Sequence, residues 1–291
     1  MDTMDRKKNS AASRARRSLL FTPANRPEMF ARALSSNADM VCIDLEDSVA
    51  PNEKSAARDV ALKFMASEWG TGQERVIRIN SPRTRAGLDD VVAILNANLA
   101  SGIILIPKVE TADELKWIGS LLEEADSGLE LAALIESPIG FERSFDILNS
   151  VADLEFTMFG GADLAAELGT DIATAPLAYG RARLLYASKS AGIDVLDMPC
   201  LDFRSEDTLN REAKDAKTLG FTGKAVIHPS NIKKINDTFT PTLVEVDHAK
   251  KAIEAFYGHS AGVAIVDGRI VERPVIRRLE RILRRSLYMD V

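Results

Sequence analysis

The sequence predicts an α/β fold, a (β/α)8 TIM barrel followed by a C-terminal extension made of helices and a hairpin. Three observations predict it. Eight short β-rich runs recur between residues 19 and 229. Helix-length amphipathic segments separate them, which is the alternation of a parallel sheet covered on both faces. The first turn, "FTPANRPEM", lacks the G-x-G-x-x-G that a doubly wound dinucleotide-binding sheet carries, so eight units closing on themselves fit best.

In chain order the runs are "LLFTP" (19–23), "MVCIDL" (40–45), "RVIRIN" (75–80), "GIILIP" (102–107), "LAALIES" (131–137), "LEFTMFG" (154–160), "DVLDMPC" (194–200) and "KAVIHP" (224–229). Most are apolar almost throughout, as strands buried on both faces must be. The pieces between them, such as "NRPEMFARALSS" and "TADELKWIGSLLEEA", carry helical periodicity. Beyond about Thr238 the pattern changes to a helical "TLVEVDHAKKAIEAFYGH", a hairpin-like "GVAIVDGRIVE" turning at Asp267 and Gly268, and a basic helix "PVIRRLERILRRSLY". The expected domains are therefore a disordered basic tail over 1–16, the barrel over 17–238, and an extension over 239–291 that acts as a lid, an oligomer contact or both.

Composition narrows the function. The chain has 291 residues, 46% of them hydrophobic, enough for a large core. Its formal net charge of −6 gives no global attraction to nucleic acid or to an anionic membrane surface. Cys42 and Cys200 lie in apolar, strand-like surroundings without C-x-x-C spacing, which points to buried reduced thiols and a cytoplasmic protein. The opening "MDTMDRKKNSAASRARR" has no apolar core of signal-peptide length, and its Asp2 and Asp5 argue against an organelle transit peptide. No segment approaches the roughly 20 apolar residues that span a bilayer.

In such a barrel the chemistry lies at the carboxyl ends of the strands. The polar residues there are Asp44, Glu46 and Asp47 after the second run, Arg78 and Asn80 at the third, Lys108 after the fourth, Glu136 after the fifth, Asp163 after the sixth and His228 on the eighth. Glu136 and Asp163 come from adjacent strands, whose axes lie about 4.8 Å apart, so both carboxylates can converge on one small cation. Two hard oxygen donors completed by water and substrate oxygens suit Mg²⁺. Zinc would want histidines, and His228, His248 and His259 show no ligand spacing. Asp163, directly before "LAAEL", also suits a helix N-cap, and the two roles can coexist. Glu136 has less structural use, because Ser137 and Pro138 already supply an N-cap and first helical residue.

Arg78 is a charged side chain within "VIRIN", which demands a partner. Either Glu46 or Asp47 pairs with it, or it grips a substrate carboxylate or carbonyl and stabilises negative charge there. Lys108 could form a Schiff base, but a metal is the better electrophile beside an acidic pair. His228 reads as a hydrogen-bonded core histidine rather than a ligand.

Six stretches, "RSLLFTPANRPEM", "DLEDSV", "RIN", "LIESPIG", "FGGADLAAELG" and "GKAVIHPSNI", occur in an order and spacing that resembles the citrate lyase beta subunit-like proteins of the HpcH/HpaI aldolase superfamily. The resemblance covers about residues 17 to 238 and extends to the appendage. It implies a TIM barrel assembled as trimers or hexamers, with one subunit's extension covering a neighbour's site. It further implies Mg²⁺-dependent carbon–carbon cleavage of a 3-hydroxyacyl-CoA bearing a carboxylate, such as malyl-, citramalyl- or citryl-CoA. By that resemblance Glu136 and Asp163 are the metal ligands, and Arg78 binds the oxo acid together with Glu136. Asp44, Glu46 and Asp47 form an acidic wall holding metal-bound waters, and Arg17, Pro23, Arg26 and Lys54 lie toward the coenzyme A channel. Where several such lyases place a catalytic aspartate shortly before a proline, this chain has "DGRIVERP", with Glu272 and, nearby, Asp267. Three functions follow: a stand-alone acyl-CoA lyase, with citramalyl-CoA the marginal choice of substrate; the beta subunit of a multi-subunit citrate lyase; or a non-catalytic thioester-binding protein.

Overall fold

The computed structural model describes residues 15–68, 72–172, 175–258 and 263–286. Eight strands close into a parallel barrel in sequence order. They are β1 (Ser18–Pro23), β2 (Met40–Asp44), β3 (Glu74–Arg78), β4 (Gly102–Ile106), β5 (Leu129–Ile135), β6 (Leu154–Phe159), β7 (Asp194–Asp197) and β8 (Gly223–Val226). Each predicted run becomes one strand, and β8 closes on β1 by pairing Leu19 with Ala225. Alternate residues point inward, so Leu19, Cys42, Val76, Leu134, Phe156 and Leu196 fill the barrel as one apolar cluster. Truncating the fully buried Phe156 to alanine would cost about 3–5 kcal/mol.

Where strands stop decides where the chemistry sits. β5 ends at Ile135, two residues before the predicted end, because Ser137 caps a short helix, Pro138–Glu142: its side chain accepts from Gly140 N at 3.2 Å and Pro138 sits at the first helical position. Glu136 is thereby stranded between strand and helix. β7 ends at Asp197, before Pro199. β8 ends at Val226, and His228 then caps a 3₁₀ turn by accepting from Ser230 N at 3.3 Å. His228 is half-buried and stacks on Phe203, so it is a capping residue and not the core histidine expected.

Arg16, expected in the basic tail, belongs instead to the barrel. Arg16 is buried, donating from Nε and Nη2 to the two carboxylate oxygens of Glu74 at 2.6 and 2.8 Å and from Nη2 to Glu155 at 2.6 Å. The other expected tail residues, apart from Ala15, lie outside the described residues, as does His259. A second charge network was also unforeseen. Lys224 and Asp197, register partners on β8 and β7, pair at 2.8 Å, and Arg181 reaches Asp197 at 3.0 Å. Both cysteines are free and buried, as expected; burial pushes the Cys42 thiol up and the Cys200 thiol up to about 11.

The chain divides into two compact units, Arg16–Asn236 and a second holding Asp237 onward. The second unit contains the three elements read from sequence: the helix Leu243–Tyr257, a hairpin of β9 (Ala264–Val266) and β10 (Arg269–Val271), and the helix Arg273–Ser286. Thr242 and Glu245 form a reciprocal capping box that starts the first helix. Asp267 (φ 49°) and Gly268 (φ 73°) make the tight two-residue turn that the Asp-Gly pair predicts, since both central residues must take positive φ. Ala249, Phe256, Val271, Ile276 and Leu279 form this unit's own core. No described helix is long and apolar enough to cross a membrane.

Candidate active site

A cleft of about 410 Å³ opens at the carboxyl ends of the barrel strands. Asp44, Asp47, Arg78, Glu136 and Asp163 line it, and the rest of its wall is largely apolar: Phe21, Leu134, Met158, Met198, Leu201 and Ile227 among others. Five of the residues singled out in the sequence thus meet in one cavity, from the ends of four strands.

Glu136 is 3% exposed. Its Oε1 accepts from Lys108 N at 2.8 Å, while Oε2 lies toward Gly160, where an added Cβ would sit 2.9 Å from that oxygen and 2.2 Å from Glu136 Cβ. Burial, and then the charges of Glu46 and Asp163, push the Glu136 carboxyl well above the usual carboxylate range. Asp163 is half-buried in the first turn of the helix Gly161–Leu168, at its third position. The N-cap is Gly160, so the capping role considered for Asp163 is not the one it has; the helix starts early because Gly160 and Gly161 fit where side chains would collide.

Arg78 is held on three sides. Nε and Nη2 donate to Asp44 Oδ1 and Oδ2 at 2.7 and 2.8 Å. Nη1 lies 3.0 Å from Glu46 Oε2 and 3.8 Å from Asp47. Its guanidinium carbon stands 4.9 Å from the centre of the Phe21 ring. The pairing with Glu46 and Asp47 expected from the sequence is present, and Asp44 joins it as the bidentate partner because Asp44 and Arg78 are register partners on β2 and β3. Burial alone would raise the Asp44 carboxyl; the Arg78 hydrogen bonds outweigh it and hold it below the usual range. Lys108 Nζ bonds Glu46 Oε1 at 2.5 Å, and although burial opposes its charge, Glu46 holds the ammonium protonated more firmly than a free lysine's. That is the reverse of what a Schiff-base lysine needs.

The four residues expected toward coenzyme A separate. Pro23 lines the cleft, and Arg26 is exposed just beyond β1, bonded to Glu28 at 2.6 Å. Lys54 donates to Leu45 O at 3.0 Å, Glu46 O at 2.9 Å and Asn80 Oδ1 at 2.5 Å, so its ammonium ties down the loop after β2. Arg17 precedes β1 and pairs with Asp39 at 2.8 Å, at the barrel's amino-terminal end. Phe21, four residues along β1 and so roughly 13 Å away, is the first of this strand to line the cleft, which corrects the expected placement of Arg17. Glu272 is exposed in the second unit, and Asp267, also exposed, lies 3.3 Å from His248 Nδ1.

Glu136 and Asp163 suit a hard divalent cation. Glu136 keeps one oxygen beyond its bond to Lys108, Gly160 leaves that oxygen room, and the burial and the crowding of acids that together raise the Glu136 carboxyl are what a cation would offset. Among the described residues no three His, Cys, Asp or Glu side chains form a metal cluster. Mg²⁺ needs none, since one or two carboxylates with water and substrate oxygens complete its octahedron.

The chain is similar over nearly its whole length to known proteins. It is 32% identical over 286 residues to citrate lyase subunit beta of Escherichia coli (strain K12), covering 94% of each chain. It is 29% identical over 288 residues to the mitochondrial citramalyl-CoA lyase of Rattus norvegicus, covering 92% of this chain and 85% of that one. Among solved structures, protein CitE from Mycobacterium tuberculosis in complex with magnesium, acetoacetate and coenzyme A matches with a TM-score of 0.78 at 28% identity, covering 94% of this chain and 99% of that one. Residues 17–229 match the HpcH/HpaI aldolase/citrate lyase family, and this chain belongs to it.

Proposed function

We propose that this protein is a Mg²⁺-dependent carbon–carbon lyase that cleaves a carboxylate-bearing 3-hydroxyacyl-CoA to acetyl-CoA and a 2-oxo acid. The observation that carries the reading is the meeting of Glu136 and Asp163 with an Asp44-clamped Arg78 in one apolar-walled cleft. Mg²⁺ held by Glu136 and Asp163 supplies an electrophile for the oxygen that becomes the 2-oxo group. Arg78 binds the acid's carboxylate or carbonyl through a guanidinium already fixed in orientation, so little rearrangement is needed as charge grows on that oxygen. Asp44 and Asp47 at the cleft wall and Glu46 behind them keep the surroundings acidic, which favours waters on a cation. Glu272, with Asp267 as the alternative, is the residue we assign to proton transfer at the hydroxyl, supplied by the extension of a neighbouring subunit. Pro23 and Arg26, at the end of β1, are assigned to the coenzyme A path.

Citramalyl-CoA is the preferred substrate, because Leu134, Met158, Met198, Leu201 and Ile227 give a methyl at the 3-position apolar contact. A methyl is worth only about 1–3 kcal/mol of discrimination, so malyl- and citryl-CoA are the competitors to test. We place the protein in the cytoplasm, as a homotrimer or homohexamer. The likeness to a citrate lyase subunit favours a second reading, in which a partner acyl carrier delivers a citryl thioester. The purified chain is assayed for thiol release and 2-oxo acid formation from the three acyl-CoAs, with Mg²⁺ and with excess chelator. Chelator-sensitive cleavage of one substrate supports the stand-alone lyase; no cleavage of any refutes it, and activity restored by an acyl-carrier thioester supports the subunit reading.

A further inference from the structure

Lys108 stands behind the cleft rather than in its lining, yet it touches both halves of the site. Its backbone takes φ +55°, a left-handed conformation that a non-glycine residue adopts only where surrounding contacts impose it. In that conformation one residue aims two donors at two carboxylates. The backbone N–H donates to Glu136 Oε1 at 2.8 Å, and Nζ donates to Glu46 Oε1 at 2.5 Å and stands 3.7 Å from Asp47 Oδ1. Glu46 in turn holds Oε2 3.0 Å from Arg78 Nη1, close enough for an ion pair, although this oxygen has no aligned hydrogen-bond donor. Glu46 is therefore a buried acid shared between two cations. Without the ammonium, Arg78 alone among the described residues is left to balance it, and the guanidinium is drawn from its seat on Asp44 toward Glu46.

We propose that Lys108 is a positioning residue that couples the two substrate-binding groups: its amide fixes Glu136, and its ammonium holds Glu46 so that Arg78 keeps its orientation on Asp44. The proposal rests on the lyase reading of Arg78 and Glu136, but the coupling itself can be read without turnover. The variants are Lys108→Met, Lys108→Arg, Glu46→Gln and the double variant Lys108→Met/Glu46→Gln. Each is followed by thermal denaturation and by steady-state kinetics with the acyl-CoA that the wild type cleaves. Lys108→Met should lower kcat/KM about 10- to 100-fold, the usual loss when a residue behind the first contacts is removed. Lys108→Arg should recover most of that loss. The Lys108→Met loss in Tm should be reversed by adding Glu46→Gln, which removes the unbalanced acid, and the two kinetic losses should fail to multiply. Wild-type kinetics in Lys108→Met, or losses that multiply and Tm shifts that add, would overturn the coupling. If the wild type turns over no substrate, the lyase reading fails while the Tm cycle still decides the coupling. Should Lys108→Met not fold, Lys108→Gln serves in the same cycle.

Discussion

Asp44 and Arg78 face each other across β2 and β3 through two parallel hydrogen bonds, Nε to Oδ1 at 2.7 Å and Nη2 to Oδ2 at 2.8 Å. The pair is nearly buried, so its net worth to folding is small while breaking one side is expensive. Asp44→Asn keeps the shape but removes the charge, and should destabilise the protein by about 3 kcal/mol, read from urea unfolding at pH 7. Because Arg78 holds the Asp44 carboxyl below its unfolded value, that contribution is complete above the ordinary aspartate range near pH 4 and is lost as pH falls through the depressed value. The gap between wild type and Asp44→Asn should therefore close on acidification. A gap that stayed constant down to the acid transition would mean that Asp44 is not the carboxylate that matters.

Glu136 behaves in the opposite sense. Its carboxyl is raised by burial and by the neighbouring Glu46 and Asp163, so at neutral pH its charge works against folding when no cation is bound. Glu136→Gln should raise Tm in chelator, by a few degrees, while abolishing Mg²⁺-dependent turnover. Mg²⁺ should raise the Tm of the wild type but not that of Glu136→Gln or Asp163→Ala. Unchanged activity in either Glu136→Ala or Asp163→Ala would remove the metal assignment, provided circular dichroism shows the fold intact.

How far the sequence reveals all this depends on which face a residue occupies. The strands were legible because both of their faces are covered, which forces near-continuous apolar runs such as "GIILI". The residues at the carboxyl ends of the strands were legible for a related reason: a charge that interrupts or closely follows such a run demands an explanation, and Arg78 ends β3, Glu136 directly follows β5 and Asp163 stands in the first turn after β6. Asp197 and Lys224 were not, because they lie on the outward side of β7 and β8, where only the assembled helices supply Arg181 and Glu212 as partners. Arg16 was hidden among the neighbouring arginines of "RARR", and nothing local separates the buried one from Arg17. Lys54 and Arg17 show the limit of resemblance, since a motif fixes where a residue falls along the chain but not which partners occupy its side chain.

Gly160 is the tightest point of the site. An added Cβ would stand 2.2 Å from the Glu136 Cβ and 2.9 Å from Oε2, so Gly160→Ala must push Glu136 aside. Its φ of −92° is open to any residue, which makes the clash rather than backbone strain the cause. The expected result is a loss of about 1–3 kcal/mol in stability together with weaker Mg²⁺ binding by calorimetry. Mg²⁺ affinity equal to the wild type's would show that Glu136 need not hold its present position.

Arg16 closes the opposite end of the barrel, where it balances Glu74 and Glu155, with Asp194 at 3.8 Å. Glu74 and Glu155 are themselves buried, so an apolar replacement of the arginine takes a bonded cation from two acids at once. Arg16→Met should destabilise the protein by about 3–5 kcal/mol, and adding Glu74→Gln should recover part of it. The same argument applies to the chain's beginning. A protein started at Ala15 and one started at Arg17 differ in length by two residues, yet the second should unfold at markedly lower urea, because it alone lacks the guanidinium. Equal midpoints would mean that solvent or another cation reaches Glu74 and Glu155, and that Arg16 is not what holds this end of the barrel closed.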